Sequence, residues 1–204
     1  MSFDLDVEMQ RGEMRVALKL LSPGGITVLF GPSGVGKTSI LAMVAGLLTP
    51  DRGQIRVCGR TLFDGVTNLP PEARRAGYVF QDGRLFPHMR VEANLRYGMA
   101  REAQSGDWTA LIDLLGIEDL LRRWPRSLSG GEAKRVAIGR ALLSGADFLL
   151  LDEPLASLDA ARAEEIMDLV ETIRDERSTP MLYVTHDRAE AERLATKIVE
   201  MRRE

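Results

Sequence analysis

The chain has 204 residues, of which 45% are hydrophobic and 28% charged, and a formal net charge of -3. That length suits one large domain or two lobes with ample apolar content for a core. The slightly acidic balance gives no general reason to expect a nucleic-acid partner, whose phosphates call for a basic surface.

The only cysteine, Cys58, rules out an intrachain disulfide. It is expected as a small buried apolar residue on a strand over residues 55–58, in a reducing compartment. Residues 1–6 lack the basic start and apolar run of a secretory signal. The longest apolar runs, such as residues 148–151, are far too short to cross a bilayer, so any membrane role is expected to be peripheral.

In chain order, the first strong element is the apolar run Ile26 to Phe30, which predicts a buried strand. It enters Gly31-Pro32-Ser33-Gly34-Val35-Gly36-Lys37-Thr38, followed by Ser39, and a helix is predicted over residues 38–47. A strand over residues 78–80 leads to Gln81. Residues 82–139 show helical periods and no convincing strand, which predicts a helical insert holding Trp108 and Trp124 by packing. Residues 148–151 predict another buried strand, ending in Asp152 and Glu153. Ile166, Leu169, Val170 and Ile173 then keep helical spacing, opposite Glu164, Glu165, Asp168 and Glu171. A last clear strand over residues 181–184 runs through Thr185 to His186. Strands alternating with helices in this way predict an α/β fold with a mostly parallel sheet.

The glycine-rich segment fits G-x-x-x-x-G-K-[ST] in its required strand-to-helix setting. Its glycines let successive amides face phosphate oxygens at a helix amino end. Lys37 is expected on the β and γ phosphates, and the Thr38 hydroxyl on Mg2+. Asp152 offers oxygen to the same hard cation, and Glu153 is placed to orient or deprotonate an attacking water. In a parallel sheet the strands end on one edge, where ligands collect, so Gln81 is expected beside the metal or water and His186 beside the γ phosphate. His88 lies in Phe86-Pro87-His88-Met89 without a partner pattern and reads as a surface residue.

Leu128-Ser129-Gly130-Gly131-Glu132 supports two readings. Ser129 and Glu132 form an S-x-x-E capping box that would start a helix with Ala133, Val136, Ala137 and Ala141 on its apolar stripe. An ordinary cap needs no pair of glycines, and the bare helix end also suits a closely approaching phosphate.

Taken together, these segments resemble the nucleotide-binding subunits of ABC transporters along essentially the whole chain. Gly31 to Thr38 looks like the Walker A loop, Gln81 the Q-loop, Leu128 to Glu132 the signature motif, and the strand ending at Asp152 and Glu153 Walker B. Ser157-Leu158-Asp159 looks like the D-loop and His186 the switch histidine. The resemblance implies one ATPase domain over residues 1–204, a P-loop ABC cassette with a small amino-terminal antiparallel β region. A catalytic core is expected over residues 1–81 and 140–204, and a helical subdomain over 82–139. It also implies ATP and Mg2+ as ligands, and a head-to-tail dimer in which Ser129, Gly130, Gly131 and Glu132 meet the other subunit's ATP. Further implied partners are transmembrane permease subunits and a separate solute-binding protein, with no nucleic acid. The place is the cytoplasmic face of the cell membrane.

A narrower resemblance runs through residues 74–88 and 94–99, and through Leu155-Ala156-Ser157-Leu158-Asp159, to ATPase subunits of bacterial importers, most of all those for molybdate. Sulfate, iron or polyamine import stands behind it, as does a soluble ABC ATPase working away from membranes or a binding module with negligible hydrolysis. Leu85, Phe86, Pro87 and Met89 are candidates for a groove that receives a permease helix, or for packing within the insert. Three departures stand out. Glu8, Met9, Gln10 and Arg11 occupy the region where the family usually has an adenine-stacking aromatic, which leaves an aliphatic or guanidinium surface for the base. Residues 198–201 read as the last core strand with Glu204 closing the chain, so no regulatory domain is inferred; and Ala133 replaces a more usual polar residue.

Overall fold

Two sheets organise the chain, in a computed structural model that describes residues 2–99 and 105–202. The first is antiparallel, with β1 (Phe3–Arg11), β2 (Met14–Ser22), β4 (Arg52–Val57) and β5 (Arg60–Phe63) in the order β2-β1-β4-β5. Its strands alternate as a one-sided sheet must: Phe3, Leu5, Val7 and Met9 point inward with Val16, Leu18 and Leu20, while Arg15 and Lys19 face out. The second is parallel, with β3 (Ile26–Phe30), β6 (Ala76–Val79), β7 (Phe148–Asp152), β8 (Met181–Thr185) and β9 (Lys197–Glu200) in the order β6-β7-β8-β3-β9. Every residue of β7 and β8 is buried, which is why both read as unbroken apolar runs.

Helix α1 (Lys37–Ala45) fills the space between the sheets. Ile40, Leu41, Met43 and Val44 pack there with Phe148 and Leu150 of one sheet and Leu5 and Val7 of the other. Leu149 and Leu151 point the opposite way, into a second core. That core is covered by α3 (Val91–Arg96), α4 (Ser105–Leu115), α5 (Gly130–Leu143), α6 (Ala160–Arg177) and α7 (Arg188–Leu194). Ile166, Leu169, Val170 and Ile173 of α6 are all buried, as their spacing predicts. Trp108 is half-buried against the same core, and Trp124 lies under the Arg90 guanidinium at 5.0 Å.

Local chemistry moved several boundaries. The first helix starts at Lys37 and stops at Ala45, because Gly46 takes a left-handed conformation (φ 81°) and its N–H turns back to Ala42 and Met43. The strand expected over residues 78–80 lies at Ala76–Val79. Among the described residues of 82–139 there is no strand, and α5 runs without a break across residue 139. Cys58 corrects the sequence reading: it is exposed and sits beyond β4, with φ 50° beside Gly59 at φ 77°. A two-residue hairpin needs positive φ at both positions, and Cys58-Gly59 supplies the turn into β5. Glu204, read as the chain's end, and the Arg11 side chain lie outside the described residues.

The short helix α2 (Pro71–Arg74) ends in a residue with a structural task. Arg74 is 1% exposed; it donates to the carbonyls of Met43 (2.7 Å), Val44 (3.1 Å) and Leu69 (2.7 Å), and to Asn68 Oδ1 (2.9 Å). It thereby gives a buried donor to the Val44 carbonyl at the end of α1 and a second one to that of Met43, which also accepts from the Gly46 N–H.

Candidate nucleotide site

The parallel register brings four strand ends to one edge: Phe30 opposes Thr185, Val79 opposes Leu151, and Asp152 opposes Val184. Gly31, Gln81, Glu153 and His186 follow those ends, so residues far apart in sequence meet there. The phosphate loop is shaped by close backbone approaches. A Cβ on Gly31 would lie 2.5 Å from the Met201 carbonyl oxygen, and one on Gly36 (φ 101°) would lie 2.8 Å from both Val16 methyls. Pro32, Ser33 and Gly34 are exposed at the rim, whereas Val35, Gly36 and Ser39 are buried beneath them.

Lys37 folds back over its own loop, donating to the carbonyls of Gly31 at 2.7 Å and Pro32 at 2.9 Å. Its side chain is 4% exposed, and burial pushes its pKa down against the opposing pull of Glu153 and Asp152. Glu153 Oε1 lies 3.9 Å from Lys37 Nζ, and Glu153 Oε2 lies 3.1 Å from His186 Nδ1. Glu153 holds that place in a left-handed backbone (φ 43°), a conformation that costs a non-glycine residue about 1–2 kcal/mol. Its N–H still reaches the Val184 carbonyl at 3.0 Å, so the strained carboxylate is anchored to β8.

Thr38 Oγ1 donates to Asp152 Oδ1 at 2.9 Å, and the Tyr78 hydroxyl donates to Asp152 Oδ2 at 3.2 Å. Burial pushes the Asp152 carboxyl up, while these two bonds pull it down. Thr38, Gln81 and Asp152 line one cleft of about 670 Å3, with Gly130, Lys134 and Ser157 on its other walls. Gln81 is exposed in it, as is His186 nearby at the sheet edge. Among the described residues, no three His, Cys, Asp or Glu side chains gather into a metal cage. The available donors are hard oxygens of Thr38, Asp152 and Gln81, which suit a magnesium ion that takes its remaining ligands from water and substrate phosphates.

Ser129 caps α5 as the sequence indicates. Its N–H reaches Glu132 Oε2 at 2.6 Å, and Glu132 N–H reaches Ser129 Oγ at 3.3 Å, completing the capping box. The backbone bond from Ser129 holds the Glu132 carboxyl below its ordinary range. A Cβ on Gly131 would meet Arg162 at an ordinary 3.5 Å, so packing within this chain does not demand glycine there. Asp159 caps α6 through the Arg162 N–H at 3.0 Å and lies exposed, two residues beyond Ser157 with its φ of 67°.

Two site neighbours escaped the sequence reading. Tyr78 was legible only as a strand residue; the signal was its hydroxyl, which needs a partner in a buried strand. Lys134 sits on the buried stripe of Ile138 and Ala141, and a charge on such a stripe marks a specific partner. The region expected to face adenine is more committed than predicted. Met9 is turned into the core, and Glu8 accepts from Arg15 (3.0 Å) and Arg52 (2.6 Å), which holds its carboxyl at about 2. Of the four groove candidates, Leu85 packs on the core, Phe86 leans on Tyr97 with ring centroids 4.4 Å apart, Pro87 is exposed and Met89 is half-buried. His88 is exposed.

Residues 15–156 match the ABC transporter family. The chain belongs to that family. A molybdenum import ATP-binding protein ModC of Mesorhizobium japonicum is 52% identical to this ABC cassette over 98% of the chain, and one of Haemophilus influenzae is 48% identical over 97%. The cassette spans 55% and 57% of those relatives, about half their length. Among solved structures, a dimeric bacterial ABC transporter cassette superposes with a TM-score of 0.78 at 28% identity, covering 98% of this chain and 94% of that one. A post-hydrolysis state of that ATP-binding cassette, bound to ADP and Pi, gives the same score and covers 99% and 97%. The α/β fold with its parallel sheet and small antiparallel sheet is therefore that of an ABC cassette.

Proposed function

We propose that this ABC cassette binds ATP with magnesium and hydrolyses it to drive import of molybdate or a related oxyanion. The observation that carries the reading is Glu153, held by a strained backbone between Lys37 and His186. A carboxylate so placed can orient and deprotonate a water, with His186 fixing its direction and Lys37 meeting the charge of the phosphates. Gly31 to Ser39 bind the nucleotide through amides and the amino end of α1. Thr38, Asp152 and Gln81 would hold magnesium, which would supply neutralisation of the phosphate charge.

The cassette acts as a pair, most simply two copies of this chain, in which Ser129, Gly130, Gly131 and Glu132 approach the nucleotide of the other copy and Asp159 borders it. Support comes from the glycine at 131, which this chain's own packing leaves unexplained, and from the dimeric cassette of like fold. Residues 1–81 and 140–204 form the catalytic core, and 82–139 the helical part that meets permease subunits near Phe86, Pro87 and Met89. A separate solute-binding protein delivers the oxyanion from the far side. No described helix is long and apolar enough to cross a membrane, in keeping with a peripheral place on its cytoplasmic face. The molybdate assignment leans on the names of the relatives.

The test is Glu153→Gln. The variant is expected to bind ATP, to dimerise in its presence on size exclusion, and to lose nearly all turnover; wild-type turnover would sink the assignment. For the solute, expression beside a molybdate permease should restore molybdate uptake in cells lacking their own importer ATPase.

A further inference from the structure

Gln81 is exposed, and its amide makes no hydrogen bond among the described residues, so the protein fixes only where its backbone sits and the side chain swings from that anchor. That backbone and the loop after it are gripped by α5 at three points. Lys134 Nζ donates to the Gln81 carbonyl, and Arg140 donates to the carbonyls of Gly83 at 3.0 Å and Arg84 at 2.8 Å. Lys134 is 6% exposed and forms no ion pair among the described residues. Burying an ammonium against one carbonyl, with the Asp82 and Asp152 carboxylates as its nearest opposite charges but neither in ion-pair contact, costs stability, and an apolar side chain of the same length would serve the Ile138 stripe at least as well. Packing therefore gives no reason for the charge, whereas its one hydrogen bond among the described residues, to the Gln81 carbonyl, and the nearby Asp82 and Asp152 carboxylates do.

The same helix begins at the Ser129 cap, five residues earlier, about 7.5 Å along its axis.

We infer that Lys134 is a positioning residue that holds the Gln81 backbone where the side-chain amide can reach a metal held by Thr38 and Asp152. The inference rests on the proposed role of Gln81 at magnesium. Arg140 holds the carbonyls of Gly83 and Arg84 and keeps the loop in line.

The experiment compares wild type, Lys134→Met, Lys134→Arg, Gln81→Ala and the Lys134→Met/Gln81→Ala double variant. Calorimetry follows binding of the non-hydrolysable analogue AMP-PNP across a magnesium titration, beside ATP turnover and thermal unfolding. Lys134→Met should keep the wild-type melting temperature or exceed it, bind metal-free AMP-PNP unchanged, and need about tenfold more magnesium, as loss of a ligand-orienting contact does. Lys134→Arg, which retains a donor, should recover most of that loss, and the double variant should match Gln81→Ala alone. Additive effects in the double variant, or a wild-type magnesium response in Lys134→Met alongside an impaired Gln81→Ala, overturn the inference. An unimpaired Gln81→Ala overturns the metal role of Gln81 itself and the inference with it, which tells the two failures apart.

Discussion

Thr38 and Asp152, 114 positions apart, share a 2.9 Å hydrogen bond that ties the first turn of α1 to the end of β7. Because burial raises the Asp152 carboxyl above its ordinary 3.8, folding favours the protonated acid and the ionised form weakens the fold. Asp152→Asn should therefore melt higher than wild type at pH 7. Its advantage should shrink as pH falls through the raised value toward 3.8. Turnover of the variant should drop by about 100-fold or more, the order seen when a preorganised charged group is removed. A variant that melts lower at neutral pH would contradict the direction of the shift.

Gly131 separates stability from function. Its Cβ position is open to ordinary contact with Arg162, and its φ is not left-handed. Gly131→Ala should stabilise the chain by up to about 1 kcal/mol through helix propensity. If the helix end approaches a second copy's phosphates, the same methyl should lower turnover and weaken ATP-driven dimerisation. Unchanged turnover in a stabilised variant would remove the signature from the nucleotide contact.

Glu132 supports α5 through its bond from Ser129. Glutamine can fill the same box, so Glu132→Gln removes only the charge at the helix amino end, a loss of about 0.3–1 kcal/mol near neutral pH. Its folded-state carboxyl is depressed below 4.5, so the stabilisation is present above that value and lost as pH falls through the lower one. Denaturant titrations at neutral and acidic pH should show the gap between the two proteins closing at acid pH.

Arg74 should be the costliest single residue away from the site. Arg74→Met leaves the carbonyls of Met43, Val44 and Leu69 without their buried donor, a loss of about 3–5 kcal/mol by analogy with breaking other buried charged networks. Gly46→Ala should fail by the opposite route, since its Cβ would lie 2.6 Å from Arg74 Nε. A melting temperature near wild type for Arg74→Met would show that water replaces the guanidinium.

Features encoded by neighbouring residues are legible in the sequence. The spacing of Gly31, Gly36, Lys37 and Thr38 encodes a backbone shape, and apolar runs that stop at Asp152 and Thr185 encode strands that end at a ligand edge. Ser129 and Glu132 reach each other across one helical turn, so their capping box is readable too. Cys58 is misjudged from sequence because a one-residue difference decides between the end of a strand and a hairpin turn.

What the tertiary structure alone decided were pairings across the fold. Tyr78 meets Asp152 over 74 positions and Lys134 meets Gln81 over 53. No local periodicity carries such pairs, because they depend on the strand order β6-β7-β8-β3-β9 and on where α5 lies against it. Sequence determined which chemistry this cassette carries, through residue types at short spacings. Packing determined which of those groups touch, because only the assembled sheet and its covering helices bring distant strand ends to a single edge.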